Sequence, residues 1–461
     1  MKIKTVKIHN FRSIKDAEFD MEDYSLLIGK NNSGKTNILT ALRIFYDDIK
    51  FDENIDYPKF KDLDDNESWI EIEYKLTNNE LMSLKEEYRY NNSGFKIRKY
   101  LKTQEPGVKA NQFYVYERQE LSKNLFYGAR NAKQAKIGNL IYIPDVSKSD
   151  EILKLSGPSP FRDLLNYVIK KVIKNSEAYK ELACSFNKFN NDFKNEKAEE
   201  GISINRLVED INNNIENWGI KFGIDINPIQ EDDIIKNLIN HYIEDNNLEG
   251  KININRCGQG VQRYLIYTLI TLASKYTNDV ESSNEFNPDF TLILFEEPEA
   301  FLHPTQQEIL NINLREMANN KGVQVLLTTH SNVFISQNID ELTSLCKVTK
   351  FEGKTILYQI SKEELEELYD ENLSIYKKFK DLLENSDDEN LKKQIINKKL
   401  ASENENIEDK LQQETIKYFL WLDAEKTSMF FADHVLLCEG ASEKVFFDFL
   451  IKTKWSDIKI K

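Results

Sequence analysis

The residues GKNNSGKT, Gly29 to Thr36, constrain this chain more than any other stretch. They follow YSLLIG, an apolar run too short for a helix, and they open GKTNILTALRIFY, whose apolar residues recur at helical spacing. A strand, a glycine loop and a helix in that order form the setting in which this pattern cradles phosphate. The glycines let the backbone curl so that successive N–H groups face phosphate oxygens, and the helix adds the positive end of its dipole. Gly29, Asn31, Asn32, Ser33, Gly34, Lys35, Thr36 and Asn37 are therefore the expected nucleotide-binding residues. Lys35 is expected to reach the β- and γ-phosphates, and Thr36 to offer its hydroxyl to Mg²⁺.

A second stretch supplies the acidic half of such a site. In LILFEEPEAFLHP, Leu292 to Pro304, an apolar strand ends on paired carboxylates, at the end where open α/β sheets place their ligands. Glu296 is expected to act through the Mg²⁺ shell and Glu297 to polarise the attacking water. The alternative, a plain charged turn, is disfavoured by the phosphate loop upstream. TTHS, Thr328 to Ser331, closes the next apolar strand, so His330 is a candidate γ-phosphate contact and is grouped with Glu297 and Lys35 as catalytic. RCGQGVQRYLIYTLI, Arg256 to Ile270, sets Gly258 and Gly260 ahead of an amphipathic helix whose N-terminus can receive an anion.

The chain of 461 residues can hold two or three domains with proper cores. Its 40% hydrophobic and 30% charged residues are those of an ordinary globular protein, and no apolar run approaches the roughly 20 residues that span a bilayer. A membrane role is not expected. The opening MKIKTVKIHNF has no signal-peptide core, and Cys184, Cys257, Cys346 and Cys438 form no CxxC pair, so a cytoplasmic setting with reduced thiols is expected. The net charge of −15 argues against a broad nucleic-acid coat. FKIRKYLK (Phe95 to Lys102) and KKVIK (Lys170 to Lys174) nevertheless leave local DNA contact open, although such runs are usually solvated faces. Strand-like texture runs to about residue 145, long polar-apolar helices follow from Ser156 to about Glu249, and strands return at Phe290. KVTKFEGKTILYQI, Lys347 to Ile360, reads as a hairpin by its turn signal. Strands separated by helices imply parallel pairing and an α/β core.

With the glycine pair about 30 residues ahead of the carboxylate strand, these motifs resemble those of ABC-type ATPases, specifically the SMC-like branch. In that family the signature loop of one subunit caps the γ-phosphate held by the other. The resemblance implies that Gly258, Gln259, Gly260 and Gln262, with Arg263 beside them, bind nucleotide in a homodimer or higher oligomer. The transporter-type LSGGQ is absent and Cys257 stands where Ser is common, so backbone N–H groups would replace the hydroxyl. IHNFRSIKD, Ile8 to Asp16, resembles the opening of the same branch and implies a nucleotide contact by Arg12, a plain surface Arg being the alternative.

The C-terminal WLDAEKTSMFFADHVLLCEGASEKVFFDFL resembles the junction in overcoming-lysogenization-defect (OLD) family endonucleases, where an ABC ATPase meets a Toprim nuclease domain. There Glu439, in Glu439-Gly440 with Glu443 following, would be a nuclease metal ligand. After Glu443 only Asp448 and Asp457 are acidic and no D-x-D pair follows, so the Toprim part is expected to be a truncated start. Two-metal chemistry needs several converging carboxylates, and a partner protein would have to supply the rest. The expected organisation is residues 1–155 and 250–362 as the two halves of the ATPase head, 156–249 as a helical insertion that dimerises, 363–430 as a helical linker, and 431–461 as the Toprim start. The expected function is Mg²⁺-dependent ATP hydrolysis in DNA transactions, with phage defence as the setting. The alternative is an SMC-like repair or clamp ATPase without nuclease activity.

Overall fold

The computed structural model describes residues 1–144, 165, 177–197, 202–224, 242–244, 250–253, 256–258, 260–262, 264–265, 268, 286, 288, 290–336, 339–386, 388–397, 428–432, 435–436 and 438–455. It divides into two compact units, one of Met1–Asp145 with Ser282–Lys461 and one of Val146–Glu281. The sequence reading joined residues 250–281 to the sheet domain, whereas this division groups them with the second unit.

In chain order the strands of the first unit begin with β1 (Lys2–Phe11), β2 (Ile14–Asp20), β3 (Tyr24–Ile28), β4 (Ser68–Lys75), β5 (Gly94–Lys102), β6 (Phe113–Glu117), β7 (Glu120–Leu125) and β8 (Asn139–Ile143). The second unit contributes the short antiparallel pair β9 (Ile243–Glu244) and β10 (Lys251–Ile252). The first unit then resumes with β11 (Thr291–Glu296), β12 (Val323–Thr329), β13 (Leu345–Phe351) and β14 (Lys354–Gln359). Its strands form two six-stranded sheets. One, ordered β2-β1-β4-β5-β6-β7, is antiparallel throughout. The other, ordered β14-β13-β3-β12-β11-β8, is parallel except for the β13–β14 hairpin, which turns at Glu352-Gly353 with positive φ at both.

Why the second sheet is parallel can be read from its strands. All residues of TLILFE in β11 and VQVLLTT in β12 are buried, as expected where both faces are covered. Helix α1 (Lys35–Phe45) covers one face, burying Ile38, Leu39, Ala41, Leu42, Ile44 and Phe45 in a core shared with Leu27, Leu292, Leu294 and Leu326. That core also takes Ile70 and Ile72 of β4 and Ile97 of β5, so α1 lies in the layer between the sheets. Its last carbonyls, which no helical N–H can reach, are met by Lys99: Nζ donates to Ile44 O at 2.7 Å and Phe45 O at 3.1 Å and pairs with Asp47 at 2.5 Å. Burial pushes the Lys99 ammonium below its usual range, with the Asp47 carboxylate opposing.

The second unit holds α2 (Glu177–Asn195) and α3 (Ile204–Ile215), the latter capped by the Ser203 side chain. In the first unit follow α4 (Pro304–Ala318), α5 (Lys362–Asn385), whose start is a Ser361–Glu364 capping box, α6 (Glu389–Asn397) and α7 (Ala441–Thr453). No helix among the described residues is long and apolar enough to cross a membrane.

One buried side chain ties the two sheets together. Gln324 of β12 is 1% exposed; its Oε1 accepts from Ile3 N at 2.6 Å, and its Nε2 donates to Ile3 O at 2.9 Å and Glu22 O at 3.2 Å. Gln324→Leu would keep the volume but strand these backbone groups, so a loss of about 1–3 kcal/mol is expected. A lowered urea midpoint with an unchanged slope checks it.

Candidate functional site

Gly29 follows β3 directly and Gly34 directly precedes α1, so the loop between them is the only link from strand to helix. Both glycines are required by space and by backbone. Gly29 has φ +151, and a Cβ there would meet Val348 O at 2.0 Å; Gly34 has φ +114, and a Cβ would meet Thr355 Oγ1 at 2.2 Å. Helix α1 has no side-chain cap and no acidic residue in its first turn, which leaves its positive end to an anion. The Ser33 hydroxyl is buried within this loop and has no hydrogen-bond partner. Asn31 and Asn32 are exposed at its tip.

Lys35 is 5% exposed, and its Nζ donates to Gly29 O at 2.8 Å and Lys30 O at 3.1 Å. Burial lowers its pKa, while Glu297, Glu299 and Glu296 pull it back up. These carboxylates arrive from β11, which lies one strand away from β3 across β12. The Thr36 hydroxyl donates to Glu296 Oε1, and the Tyr142 hydroxyl of β8 donates to Oε2 at 2.5 Å. Glu297 N donates to Thr328 O at 3.0 Å.

His330, just past β12, completes the group. Its Nε2 stands 3.0 Å from Lys35 Nζ and 3.2 Å from Glu297 Oε1. A bare ring nitrogen accepts from an ammonium, and a protonated one donates to a carboxylate, so Nε2 serves one of these partners at a time. Glu299 Oε1 accepts the His330 backbone N–H at 2.6 Å and fixes the histidine from behind. Burial raises the Glu299 pKa, against the hydrogen bond from His330.

Arg12 is half-buried and paired. Its Nε pairs with Asp56 at 2.9 Å, and its Nη1 donates to Asn37 Oδ1 at 3.2 Å and Thr40 Oγ1 at 3.4 Å on α1. Ser13 accepts from Asn37 Nδ2 at 2.7 Å and lies 2.7 Å from Thr355 Oγ1, which donates to Ser33 O at 2.9 Å. The β1–β2 turn and β14 thus brace the back of the phosphate loop. Sequence reasoning missed Tyr142, Glu299, Ser13 and Thr355 as parts of this end of the sheet. Only Glu299, inside the quoted carboxylate stretch, carried a local signal.

The other candidates belong to other parts of the chain. Gly258, Gly260 and Gln262 belong to the second unit, where Gly258 O accepts from Val261 N and Gln262 N, and Gln262 Nε2 donates to Cys257 O at 2.7 Å. Gln259 and Arg263 lie outside the described residues. Glu439 is exposed, beside Gly440 at the N-cap of α7. The apolar residues ahead of it are in no strand at their described positions: Val435, Leu436 and Cys438 are irregular, with Val435 53% and Leu436 61% exposed. An apolar run becomes a strand only when a neighbour accepts its ladder, and no described strand pairs with it. Among the described residues no three His, Cys, Asp or Glu side chains are grouped to hold a metal.

The residues of the loop fit a phosphate chain with a hard divalent cation. The glycine cradle excludes any Cβ, the Ser33 hydroxyl is unspent, Lys35 supplies the cation, and Thr36 and Glu296 bring the oxygen donors that Mg²⁺ takes. A phosphate loop, a carboxylate strand and a histidine at one end of a parallel sheet define a P-loop ATPase. The chain belongs to the AAA ATPase domain family, whose model matches residues 1–335. Nucleotide binding follows from that membership, and its curated relatives are nucleases. It is 24% identical to the Old nuclease of Escherichia phage P2 over 80% of this chain and 63% of that one. It is 31% identical to the endonuclease GajA of Bacillus cereus (strain HuB5-5) over 30% of this chain and 20% of that one. The chain therefore spans less than two thirds of either relative's length. Among solved structures it is similar to the SMC head domain from Thermotoga maritima, with a TM-score of 0.34 at 12% identity over 78% of this chain and 100% of that one. The resemblance to OLD proteins read from motif order is met by these named relatives, and the chain is an ATPase related to them.

The raised pKa of Glu299 gives a pH test. The folded protein binds more protons than the unfolded chain between the ordinary carboxylate pKa and the raised one, so this group's contribution to stability falls as pH rises through that window. Glu299→Gln cannot titrate. Its unfolding free energy relative to the parent should therefore move in the variant's favour as pH climbs from about 4.5, measured by urea melts at a series of pH values.

Proposed function

We propose that this chain hydrolyses ATP with Mg²⁺ at the end of the parallel sheet, as the motor of a protein that acts on DNA. The contact between Thr36 and Glu296 carries the reading: it joins the phosphate loop to the carboxylate strand through oxygen donors suited to a magnesium ion. The ion, when bound, would be held by Thr36 and Glu296 and would offset the negative charge of the phosphates. Lys35 would hold the β- and γ-phosphates, and Gly29 to Asn37 would surround them with N–H groups and hydroxyls. Arg12, through Asn37 and Thr40, positions the first turns of α1 beneath that loop.

Glu297 would take the proton of the attacking water. In that role His330 answers to nucleotide: once Lys35 turns to phosphate, Nε2 is released from the ammonium and can donate to Glu297, orienting the base. Gly258, Gln259, Gly260 and Gln262 would act on the nucleotide held by another copy, with the chain as a homodimer or higher oligomer through residues 156–249. The DNA-directed role rests on the relatives, both named nucleases. Phage defence in the cytoplasm is the setting the resemblance suggests. Phosphodiester cleavage by Glu439 is the weaker assignment, since that carboxylate is exposed and belongs to no grouped ligand set among the described residues.

The proposal has direct tests. Glu297→Gln should bind ATP normally and hydrolyse it about 100- to 10,000-fold more slowly, the range a general base supplies. Unchanged turnover in a phosphate-release assay would reject its role. Lys35→Ala should lose ATP binding by calorimetry, and removal of Mg²⁺ with EDTA should stop hydrolysis in the parent. Duplex DNA should stimulate turnover. In a plasmid-nicking assay with Mg²⁺ or Mn²⁺, cleavage that Glu439→Ala abolishes would restore the nuclease assignment; no cleavage would leave the ATPase alone.

A further inference from the structure

We propose that Tyr142 is a positioning residue that fixes which oxygen of Glu296 is presented to the divalent cation. The inference rests on the ATPase reading above, in which Glu296 serves the metal. Tyr142 lies on β8 opposite Leu294 of β11, so its side chain shares the sheet face of Leu294 and Glu296. Its hydroxyl reaches one step further along that face and donates to Glu296 Oε2 at 2.5 Å, the range of a charge-assisted O–H···O⁻ bond. Oε1 accepts the Thr36 hydroxyl. The two oxygens of one carboxylate are thereby made unequal: Oε1 faces the phosphate loop, and Oε2 is occupied from the edge strand.

The phenol is itself held. The Arg43 guanidinium lies 3.8 Å from the centre of the Tyr142 ring, and Arg43 Nε pairs with Asp48 at 2.6 Å. Arg43 follows Thr36 by two helical turns, so both lie on one face of α1. A single helix therefore supplies the hydroxyl for one oxygen of Glu296 and the cation that stacks on the group holding the other.

A carboxylate pinned in this way offers the metal one oxygen. That suits Mg²⁺, which demands near-ideal octahedral geometry, and disfavours Ca²⁺, which accepts bidentate carboxylates and looser shells. Freed from Tyr142, Glu296 could rotate and present both oxygens, and the preference between the two ions would narrow.

The test is metal binding rather than turnover. Mg²⁺ and Ca²⁺ are titrated against Mn²⁺ bound to the full chain with ATP, read by electron paramagnetic resonance. Tyr142→Phe keeps the ring and its Arg43 contact. It should weaken Mg²⁺ about 10- to 100-fold, the usual effect of removing a group that orients a metal ligand. Ca²⁺ should weaken less, and ATP affinity measured in EDTA should not change. Arg43→Gln, which keeps the hydroxyl but frees the ring, should shift the Mg²⁺ to Ca²⁺ ratio in the same direction by a smaller factor. If Tyr142→Phe leaves the ratio unchanged while Glu296→Gln and Thr36→Ala lose Mg²⁺, the positioning role is wrong and the ATPase site stands. If ATP affinity in EDTA falls as much as Mg²⁺ affinity, Tyr142 is merely structural and the proposal is overturned. If Glu296→Gln and Thr36→Ala also leave Mg²⁺ binding intact, the reading of the site itself fails.

Discussion

Lys35 is the charge around which one end of the sheet is arranged. Burial disfavours its ammonium, and what offsets that cost is the trio Glu297, Glu299 and Glu296. The arrangement is lopsided: three carboxylates converge on one lysine, with His330 between two of the parties. Such a site carries more negative than positive charge, so a polyphosphate alone would be repelled by Glu296 and Glu297. A divalent cation changes the sign of that encounter, because it becomes the largest local charge. The glutamates are thus no obstacle to a nucleotide reading, because a bound cation would offset them.

These charges can meet only because of how the sheet is ordered. β3 carries the loop, β12 the histidine, β11 the two glutamates and β8 the tyrosine, and all four run parallel as neighbours. Parallel strands end together, so residues distant in sequence come to one edge without any long side chain reaching across. The order also explains why the central strands admit so few polar groups. Gln324 is tolerated in β12 because both ends of its amide are spent on backbone groups near β1.

What could be read from sequence was what is contiguous. Gly29 to Thr36, Leu292 to Pro304 and Thr328 to Ser331 each hold their residues within a few positions, and each is a strand end in the structure. The bracing of those motifs was hidden, because Thr355 against Gly34, Asp56 against Arg12 and Tyr142 against Glu296 are contacts between distant segments. The strand texture that runs to about residue 145 is interrupted at Arg118 and Gln119, both with positive φ, where β6 turns into β7. Ahead of Glu439, apolar Val435 and Leu436 join no strand among the described residues, because apolarity cannot supply the neighbouring ladder. The division at 282 was hidden too, since the apolar pattern following Gly260 does not reveal which unit it joins.

The pair Glu296-Glu297 poses a last geometrical problem. Successive residues of a strand point to opposite faces, so in an extended backbone only one of two adjacent glutamates could serve a site on the α1 face. Glu297 leaves the strand with φ 43, in the left-handed region that a non-glycine residue enters at a cost of about 1–3 kcal/mol. Its N–H is held there by Thr328, from the carbonyl at 3.0 Å and the hydroxyl at 3.2 Å. The bend turns the second carboxylate back towards His330 and Lys35, while Glu296 remains in the strand against Thr36. The strain therefore has a structural product, because it allows two neighbouring carboxylates to face a single phosphate loop through different contacts.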